Sequence, residues 1–231
     1  EGGIGLIASR FSVQGPVVKD KSSFIVSARR TYIDALVKPF VKKESNFYGS
    51  GYYFYDLNAK INYRFSEKDR LYISGYFGRD VFTFNNAKLS FNANIPWGNA
   101  TGTVRWNHVF NRKLFANTTL VYNDYNFSFG AAQNNFEVNL ASGIKDGTAK
   151  MDFDYYPSGS HKIKFGGLLT HHKFTPNVTS GRQDSVIFNP SNASEKRALE
   201  AALYIQDDWD VSSRLKLNYG IRWSNFTQIG P

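Results

Sequence analysis

The stretch Tyr53-Phe54-Tyr55-Asp56-Leu57-Asn58-Ala59-Lys60-Ile61-Asn62-Tyr63-Arg64-Phe65 decides how this chain is built. Successive side chains of a β-strand point to opposite faces. Tyr53, Tyr55, Leu57, Ala59, Ile61, Tyr63 and Phe65 therefore share one face, which is wholly apolar. Phe54, Asp56, Asn58, Lys60, Asn62 and Arg64 share the other, which is polar or charged except at Phe54. The apolar face is also sorted along its length, with aromatics at both ends and aliphatics between. A soluble β-sandwich has no reason to sort its core this way. A bilayer does, because aromatic rings favour the headgroup regions while Leu, Ala and Ile suit the hydrocarbon. At about 3.3 Å per residue the stretch reaches about 40 Å. Tilted by about 45° it spans about 30 Å, the thickness of the hydrocarbon layer.

The same alternation recurs outward from this stretch in both directions. Leu71, Ile73, Gly75 and Phe77 alternate with Tyr72, Ser74 and Tyr76, and Val104 and Trp106 with Thr103, Arg105 and Asn107. Leu114, Ala116, Leu120 and Tyr122 share a face. Met151, Phe153 and Tyr155 oppose Lys150, Asp152 and Asp154. Ile163, Phe165, Gly167 and Leu169 oppose Lys162, Lys164, Gly166 and Thr170. Leu199, Ala201, Leu203 and Ile205 oppose Glu200 and Gln206. Leu215, Leu217, Tyr219, Ile221 and Trp223 oppose Lys216, Asn218, Gly220 and Arg222. Strands near Ile4 to Gln14 and Ser23 to Tyr32 alternate less cleanly, and their faces stay unassigned. The pattern predicts an all-β chain: an antiparallel, up-and-down transmembrane β-barrel domain over residues 1–231. It is partial, with about ten strands and no convincing helix.

The connections alternate in length as well. Short polar turns are expected at Val18 to Ser22, Ser66 to Asp69, Asn111 to Lys113, Pro157 to Ser160 and Val211 to Ser213. Longer segments are expected at Ala35 to Gly51, Thr83 to Gly98, Gly130 to Asn135 and Thr175 to Lys196. Short turns on one side and long loops on the other mark the periplasmic and extracellular ends of an outer-membrane barrel. Phe136 to Asp146 reads as the outer part of a long strand ending near Tyr156. A hairpin at Lys145-Asp146-Gly147 is the alternative, since Asp-Gly is a strong turn dipeptide. This polarity places both Glu1 and Pro231 on the outer side, so both ends are expected to be cuts within extracellular loops.

The bulk numbers agree with a membrane barrel without requiring one. The chain has 231 residues, of which 16% are aromatic, and a mean hydropathy of −0.41. No apolar run reaches the roughly 18 residues of a transmembrane helix. There is no Cys, hence neither disulfides nor a thiolate metal site. The net charge of +9 is scattered rather than blocked, which suits phosphate-bearing lipid or a charged lumen and argues against nucleic acid.

Several segments go beyond pattern. Gln14-Gly15-Pro16-Val17, Lys19-Asp20-Lys21-Ser22-Ser23-Phe24 and Ser27-Ala28-Arg29-Arg30-Thr31-Tyr32 together resemble an early barrel hairpin of TonB-dependent receptors. Ala202-Leu203-Tyr204-Ile205-Gln206-Asp207-Asp208-Trp209, followed by Arg214-Leu215-Lys216-Leu217-Asn218-Tyr219-Gly220-Ile221-Arg222-Trp223, resembles a mid-barrel strand, turn and strand of that family. Lys162-Ile163-Lys164-Phe165-Gly166 resembles another strand, and the character is that of Bacteroidetes-type receptors. The resemblance covers most of the chain, but only these segments are distinctive. It implies a barrel of about 22 strands around a plug, of which the plug and the remaining strands have no counterpart here. It also implies energy-coupled import of a scarce solute, with outer-membrane lipid, the protein's own plug, a TonB-type energy coupler and, in some relatives, a surface lipoprotein as partners. No cofactor and no catalytic residue are implied.

Candidate site residues follow from the same frame. Asp56, Lys60, Arg64, Arg105, Glu200, Lys216 and Arg222 belong to polar faces and are expected to face the lumen, where they would contact the plug. Phe47, Tyr48, Trp97 and Arg182 lie in the expected long loops and are candidates to bind solute by stacking and hydrogen bonding. Girdle or loop packing is the plainer role for each. His171 and His172 are adjacent and face opposite sides, so they do not share a metal. Asp207, Asp208 and Asp210 read as a solvated turn, not a Ca²⁺ site. Gly3-Ile4-Gly5 has no following helix, so it is no nucleotide loop, and Arg29-Arg30 supports no site. Two other readings stay open at this level. One is a small outer-membrane protease with His172 and Asp184 near its rim, although no paired carboxylates are expected opposite on neighbouring strands. The other is a soluble β-rich binding module.

Overall fold

The computed structural model describes residues 1–188 and 194–230. It is one antiparallel sheet of twelve strands in meander order. They are β1 (Gly2–Ile4), β2 (Ala8–Val18), β3 (Ser22–Thr31), β4 (Gly51–Arg64), β5 (Asp69–Asn86), β6 (Phe91–Val109), β7 (Leu114–Gln133), β8 (Phe136–Ser158), β9 (His161–Gln183), β10 (Val186–Phe188), β11 (Lys196–Asp210) and β12 (Lys216–Gly230). Each pairs with the next, except that β10 folds back on the end of β9 and β11 pairs with β9 further along the same edge, the one away from β8. β12 pairs only with β11, and β1 only with β2. Ten strands are long, as the alternation predicts, and β1 and β10 have three residues each.

The register shows why the alternation reads as it does. Gly15, Phe24, Ile61, Ile73, Val104, Leu120, Ala149, Leu169 and Ala201 are successive partners from β2 to β11. Directly opposed residues share a face, so these side chains form one apolar belt. One position along each strand lies the row Gln14, Ile25, Lys60, Ser74, Thr103, Val121, Thr148, Thr170 and Glu200, which is mostly polar. The apolar band also drifts along the rows. Tyr63, at the end of the band on β4, shares a row with Leu203, which lies mid-band on β11. Such a drift is the stagger that tilted barrel strands require.

No protein layer covers this apolar face. Leu120, Leu203 and Ile221 are 54%, 61% and 73% exposed, and among the described residues the buried apolar ones are only Val81, Ala93, Ala116, Ala198 and Ala202. A soluble sandwich hides such a face in its core, so the soluble-module reading fails. Among the described residues no helix is long and apolar enough to cross a membrane, and the strands supply the crossing.

All five short turns fall where expected and lie on one side of the sheet. Asp20 takes a left-handed conformation (φ 61) in the first, which Asp tolerates better than most residues. The opposite side departs from expectation. Thr83 to Gly98 and Gly130 to Asn135 are not loops. β5 and β6 run on to a 3-10 turn at Ala87–Leu89, and β7 and β8 to a two-residue turn at Asn134-Asn135. These ends are tall hairpins, closed by Ser90 (φ 47), Asn134 (φ 52) and Asp184 (φ 55). β8 is continuous through Lys145-Asp146-Gly147, as the long-strand reading has it. The segment between β3 and β4 includes a short helix, α1 (Ile33–Val37), and a 3-10 turn at Lys38–Phe40. Of the expected loop Thr175 to Lys196, residues 189–193 lie outside the described residues, as does Pro231.

The first strand also differs from expectation. It begins at Ala8, and Gly2–Ile4 turns back onto it, pairing Gly2 with Phe11 and Ile4 with Ser9. The faces of the first two long strands are now fixed. Phe11, Val13, Ala28 and Val26 join the apolar belt, and Ser12, Gln14, Ser27 and Ile25 the other face.

Candidate functional site

At the tall-hairpin end the polar face changes character. Register places Tyr52, Phe54, Asp80, Phe82, Phe84, Phe91, Ile95, Trp97 and Phe127 on that face, beyond the rows that carry Lys60 and Arg105. Tyr52 stacks on Trp97 (6.2 Å between centroids, 22° between planes) and tilts against Phe54 (6.1 Å). Its hydroxyl donates to the Asp80 carboxylate at 2.5 Å. Phe84 meets Phe47 at 5.7 Å and Phe91 at 6.1 Å. Arg29 lies over Phe54 at 4.7 Å and pairs with Asp56 at 2.7 Å. On the opposite face at this height stand Asp124, Asn126, Ser128, Gly143 and Lys145. Both faces thus exchange polarity above the apolar band. Half-buried rings on the polar side, with Phe82 exposed and one hydroxyl–carboxylate pair among them, can stack on a planar solute and attract its positive edge.

The expected binding residues divide between two places. Phe47 and Tyr48 lie beside this aromatic cluster, where the Tyr48 carbonyl accepts from the Asn85 amide at 3.5 Å. Trp97 is at its centre, in β6 and not in a loop. Arg182 is elsewhere, at the outer end of β9 next to the β9–β10 turn, paired with Glu137 at the start of β8 at 3.2 Å. Sequence reading missed Tyr52, Asp80, Phe82 and Phe84. The signal was there, since Phe82 and Phe84 keep the phase of Tyr72, Ser74 and Tyr76, but the segment from Thr83 was read as loop and its phase was not followed.

Every residue expected in the lumen set lies on the polar face. Asp56 holds Arg29, and the Lys60 ammonium lies 5.3 Å from the centroid of the Tyr72 ring. Arg64 donates to the Asp20 carbonyl at 2.9 Å and lies 3.7 Å from Glu67. Arg105 shares a row with Tyr72 and Thr119. Arg222 faces Tyr204 across β11–β12, and Lys216 pairs with Asp210 at 2.9 Å at the turn. Glu200 approaches His172 Nε2 at 3.5 Å, close enough for an ion pair but not aligned for a hydrogen bond. On its other side His172 Nδ1 meets Asp146 at 2.7 Å. Outside the strands, Glu195 is held below the usual carboxylate range by its hydrogen bond to Lys173.

Two expectations about acids are corrected. Carboxylates do flank His172 from both neighbouring strands: register sets Asp146 on β8 directly opposite it, and Glu200 on β11 reaches it diagonally from the position opposite Thr170. Asp184, in contrast, lies at a hairpin tip and accepts from Asn135 at 2.6 Å. Asp207 is not part of a solvated turn. It is buried on the apolar side of β11 and bound by His161 at 2.7 Å and Tyr219 at 3.0 Å. Among the described residues no group of three or more His, Cys, Asp or Glu is placed to hold a metal ion.

Comparison with known proteins gives the same architecture. The chain superposes on the ferric preacinetobactin receptor BauA of Acinetobacter baumannii with a TM-score of 0.66 at 11% identity, covering 95% of this chain and 39% of that one. It superposes on the ferric enterobactin receptor PfeA of Pseudomonas aeruginosa with a TM-score of 0.65 at 15% identity, covering 95% and 37%. The ferric-catecholate import receptor Fiu of E. coli K12 gives 0.62 at 14%, covering 95% and 39%. The chain has the fold of part of a TonB-dependent receptor barrel. Residues 176–230 match the family described as "Outer membrane beta barrel domain". No curated protein matches the sequence. The resemblance read from the early hairpin and the mid-barrel strands is thus borne out as fold. The outer-membrane barrel segment spans about two fifths of the length of the receptors it matches.

Proposed function

We propose that this chain is the part of an outer-membrane receptor that helps capture an iron chelate at the cell surface, for import driven by a TonB-type partner through a plug inside the barrel. The observation that carries this reading is the aromatic cluster around Tyr52 and Trp97, on the polar face and at the tall-hairpin end. In a barrel the apolar band faces lipid, the other face lines the interior and the longer connections are extracellular. The cluster then forms part of the outer mouth of the lumen. Below it Asp56, Lys60, Arg64, Arg105, Glu200 and Arg222 offer charges of both signs to a plug. The iron-chelate class is supported by the printed names of the receptors with this fold, and the aromatic lining suits a chelate with planar arms.

The test uses the full-length protein in detergent, with a ferric tris-catecholate as probe and tryptophan quenching as readout. Saturable quenching is expected, weakened at least tenfold by Trp97→Ala with Tyr52→Ala. Absence of saturable binding, or affinity unchanged in the double variant, refutes this assignment of site and solute.

A further inference from the structure

His172, on the polar face of β9, has acceptors on both sides and a donor for only one of them. Its Nδ1 meets Asp146 at 2.7 Å. A carboxylate only accepts, so Nδ1 carries the proton and the neutral ring keeps a bare lone pair on Nε2. That nitrogen is shielded from water and has no hydrogen-bond partner. Glu200 Oε2 stands 3.5 Å from it. Two electron-pair donors therefore face each other with no hydrogen between them. Among the described residues neither Asp146 nor Glu200 pairs with Lys or Arg.

The ring is held in this attitude. Phe174 stacks on the imidazole at 5.6 Å and 20°, and Phe226 of β12 tilts against it at 5.9 Å and 38°. Glu200 is opposite Thr170 on β9 and Phe226 on β12. On β11 the residue between Ala198, opposite His172, and Glu200 is Leu199, the last apolar residue of the belt before Arg197. In the orientation given under Proposed function the group lies inside the barrel, at the height where the belt ends.

We propose that His172 Nε2 and Glu200 Oε2 are ligands of a divalent first-row transition-metal ion, with Asp146 orienting the imidazole. Zinc lies about 2.0–2.1 Å from imidazole nitrogen and about 2.0–2.2 Å from carboxylate oxygen. Donor atoms 3.5 Å apart are thus spaced like two corners of a tetrahedron around one ion. A metal-bound His commonly donates its other N–H to a carboxylate, which fixes the tautomer and makes the ligating nitrogen more basic. Asp146 already does this. A proton on Nε2 would balance the charge, but it is not aligned for a hydrogen bond to Glu200. Imidazole with carboxylate suits zinc, iron, nickel or copper, whereas calcium and magnesium take oxygen donors. The Glu200 side chain is 38% exposed and that of His172 only 15%, so the ion arrives from the Glu200 side. Structural zinc sites are closed by four protein donors. Two donors leave positions for water or for a donor atom of an incoming solute, and the ion can exchange.

The experiment is titration of the full-length protein in detergent with Co²⁺ at neutral pH, read by the visible absorption of bound Co²⁺ and by its displacement with Zn²⁺, Ca²⁺ or Mg²⁺. Saturable absorption is expected, displaced by Zn²⁺ at least tenfold more effectively than by Ca²⁺ or Mg²⁺. His172→Gln and Glu200→Gln are each expected to weaken Co²⁺ binding at least tenfold, and Asp146→Asn about tenfold, the smaller loss found for outer partners. His171→Gln, on the opposite face, is expected to change nothing. Absence of Co²⁺ absorption, or equal displacement by Ca²⁺ or Mg²⁺, overturns the proposal without needing any variant to fold. Unchanged binding in folded His172→Gln, or equal weakening by His171→Gln, overturns it as well. Ferric-chelate quenching is expected to be intact in His172→Gln. Absent metal binding with intact quenching in the unaltered protein refutes this inference alone, and the reverse refutes the receptor reading alone.

Discussion

Tyr52 stacks on Trp97 across β4, β5 and β6 while its hydroxyl is fixed by Asp80, the residue between them in the row next to its own. The ring is therefore oriented before any solute arrives. Tyr52→Phe keeps the stacking but removes a hydrogen bond to a charged group, worth about 1.5–3 kcal/mol where it is shielded from water and less where it is wet. The expected outcome is weaker ferric-chelate binding with unchanged Trp97 emission. Asp80→Asn is expected to be milder, because an amide oxygen still accepts. A shift of Trp97 emission in Tyr52→Phe would mean that the hydroxyl, not the stacking, positions the rings.

The two faces predict unequal costs for the same substitution at adjacent positions. Ile61→Arg puts a charge on the belt near mid-membrane, at an expected cost of about 2–4 kcal/mol in a bilayer. Asn62→Arg adds a charge to a face that already holds Lys60 and Arg64 and is expected to cost much less. Unfolding titrations of the full-length protein in lipid vesicles measure both. Equal costs would contradict the assignment of faces.

Glu195 gives a pH prediction. Its hydrogen bond to Lys173 lowers its pKa from the ordinary 4.5, so the pair's stabilising effect is present above the ordinary value and fades as pH falls through the lowered one. The carboxyl is expected to titrate below 4.5 by NMR and to return toward that value in Lys173→Gln. Titration of Glu195 at its ordinary value in the unaltered protein would show the ion pair to be absent in solution.

β12 is exposed almost throughout and, among the described residues, has no partner on its outer edge. Hydrocarbon cannot satisfy such a row of N–H and C=O groups, and a bare edge invites pairing between copies. The 231-residue chain by itself is expected to aggregate or depend on detergent. A heat-modifiable monomer of it with discrete conductance in a planar bilayer would revive the small-barrel reading.

The faces were legible wherever one strand met lipid on one side and a wet interior on the other, as from Tyr53 to Phe65. Beyond the bilayer that constraint ends. The outer halves of β5, β6, β7 and β8 carry apolar residues on the interior face and polar ones outside, the reverse of the pattern that identified the membrane strands. Read with the membrane rule, Thr83 to Gly98 lost its phase and looked like loop, which hid Phe82, Phe84 and the place of Trp97. Asp207 escaped for a different reason. Three acids near a turn suggest solvation, and only the register with Tyr219 and the hydrogen bond from His161 show one of them buried. The flanking of His172 by Asp146 and Glu200 was equally out of reach, because strand stagger is not written in any single strand.

The account stands on one claim: the apolar belt faces lipid and the other face does not. The chain has no Cys, so single cysteines introduced into it, in a full-length protein with any Cys outside it replaced by Ser, can be spin-labelled without background. Labels at Ile61, Leu203 and Ile221, and at Lys60, Tyr204 and Arg222, are compared in the full-length protein reconstituted in lipid vesicles, using relaxation by oxygen and by a water-soluble nickel chelate. High oxygen and low nickel accessibility are predicted for the first three sites, and the reverse for the second three. The same accessibility on both sets would contradict the account.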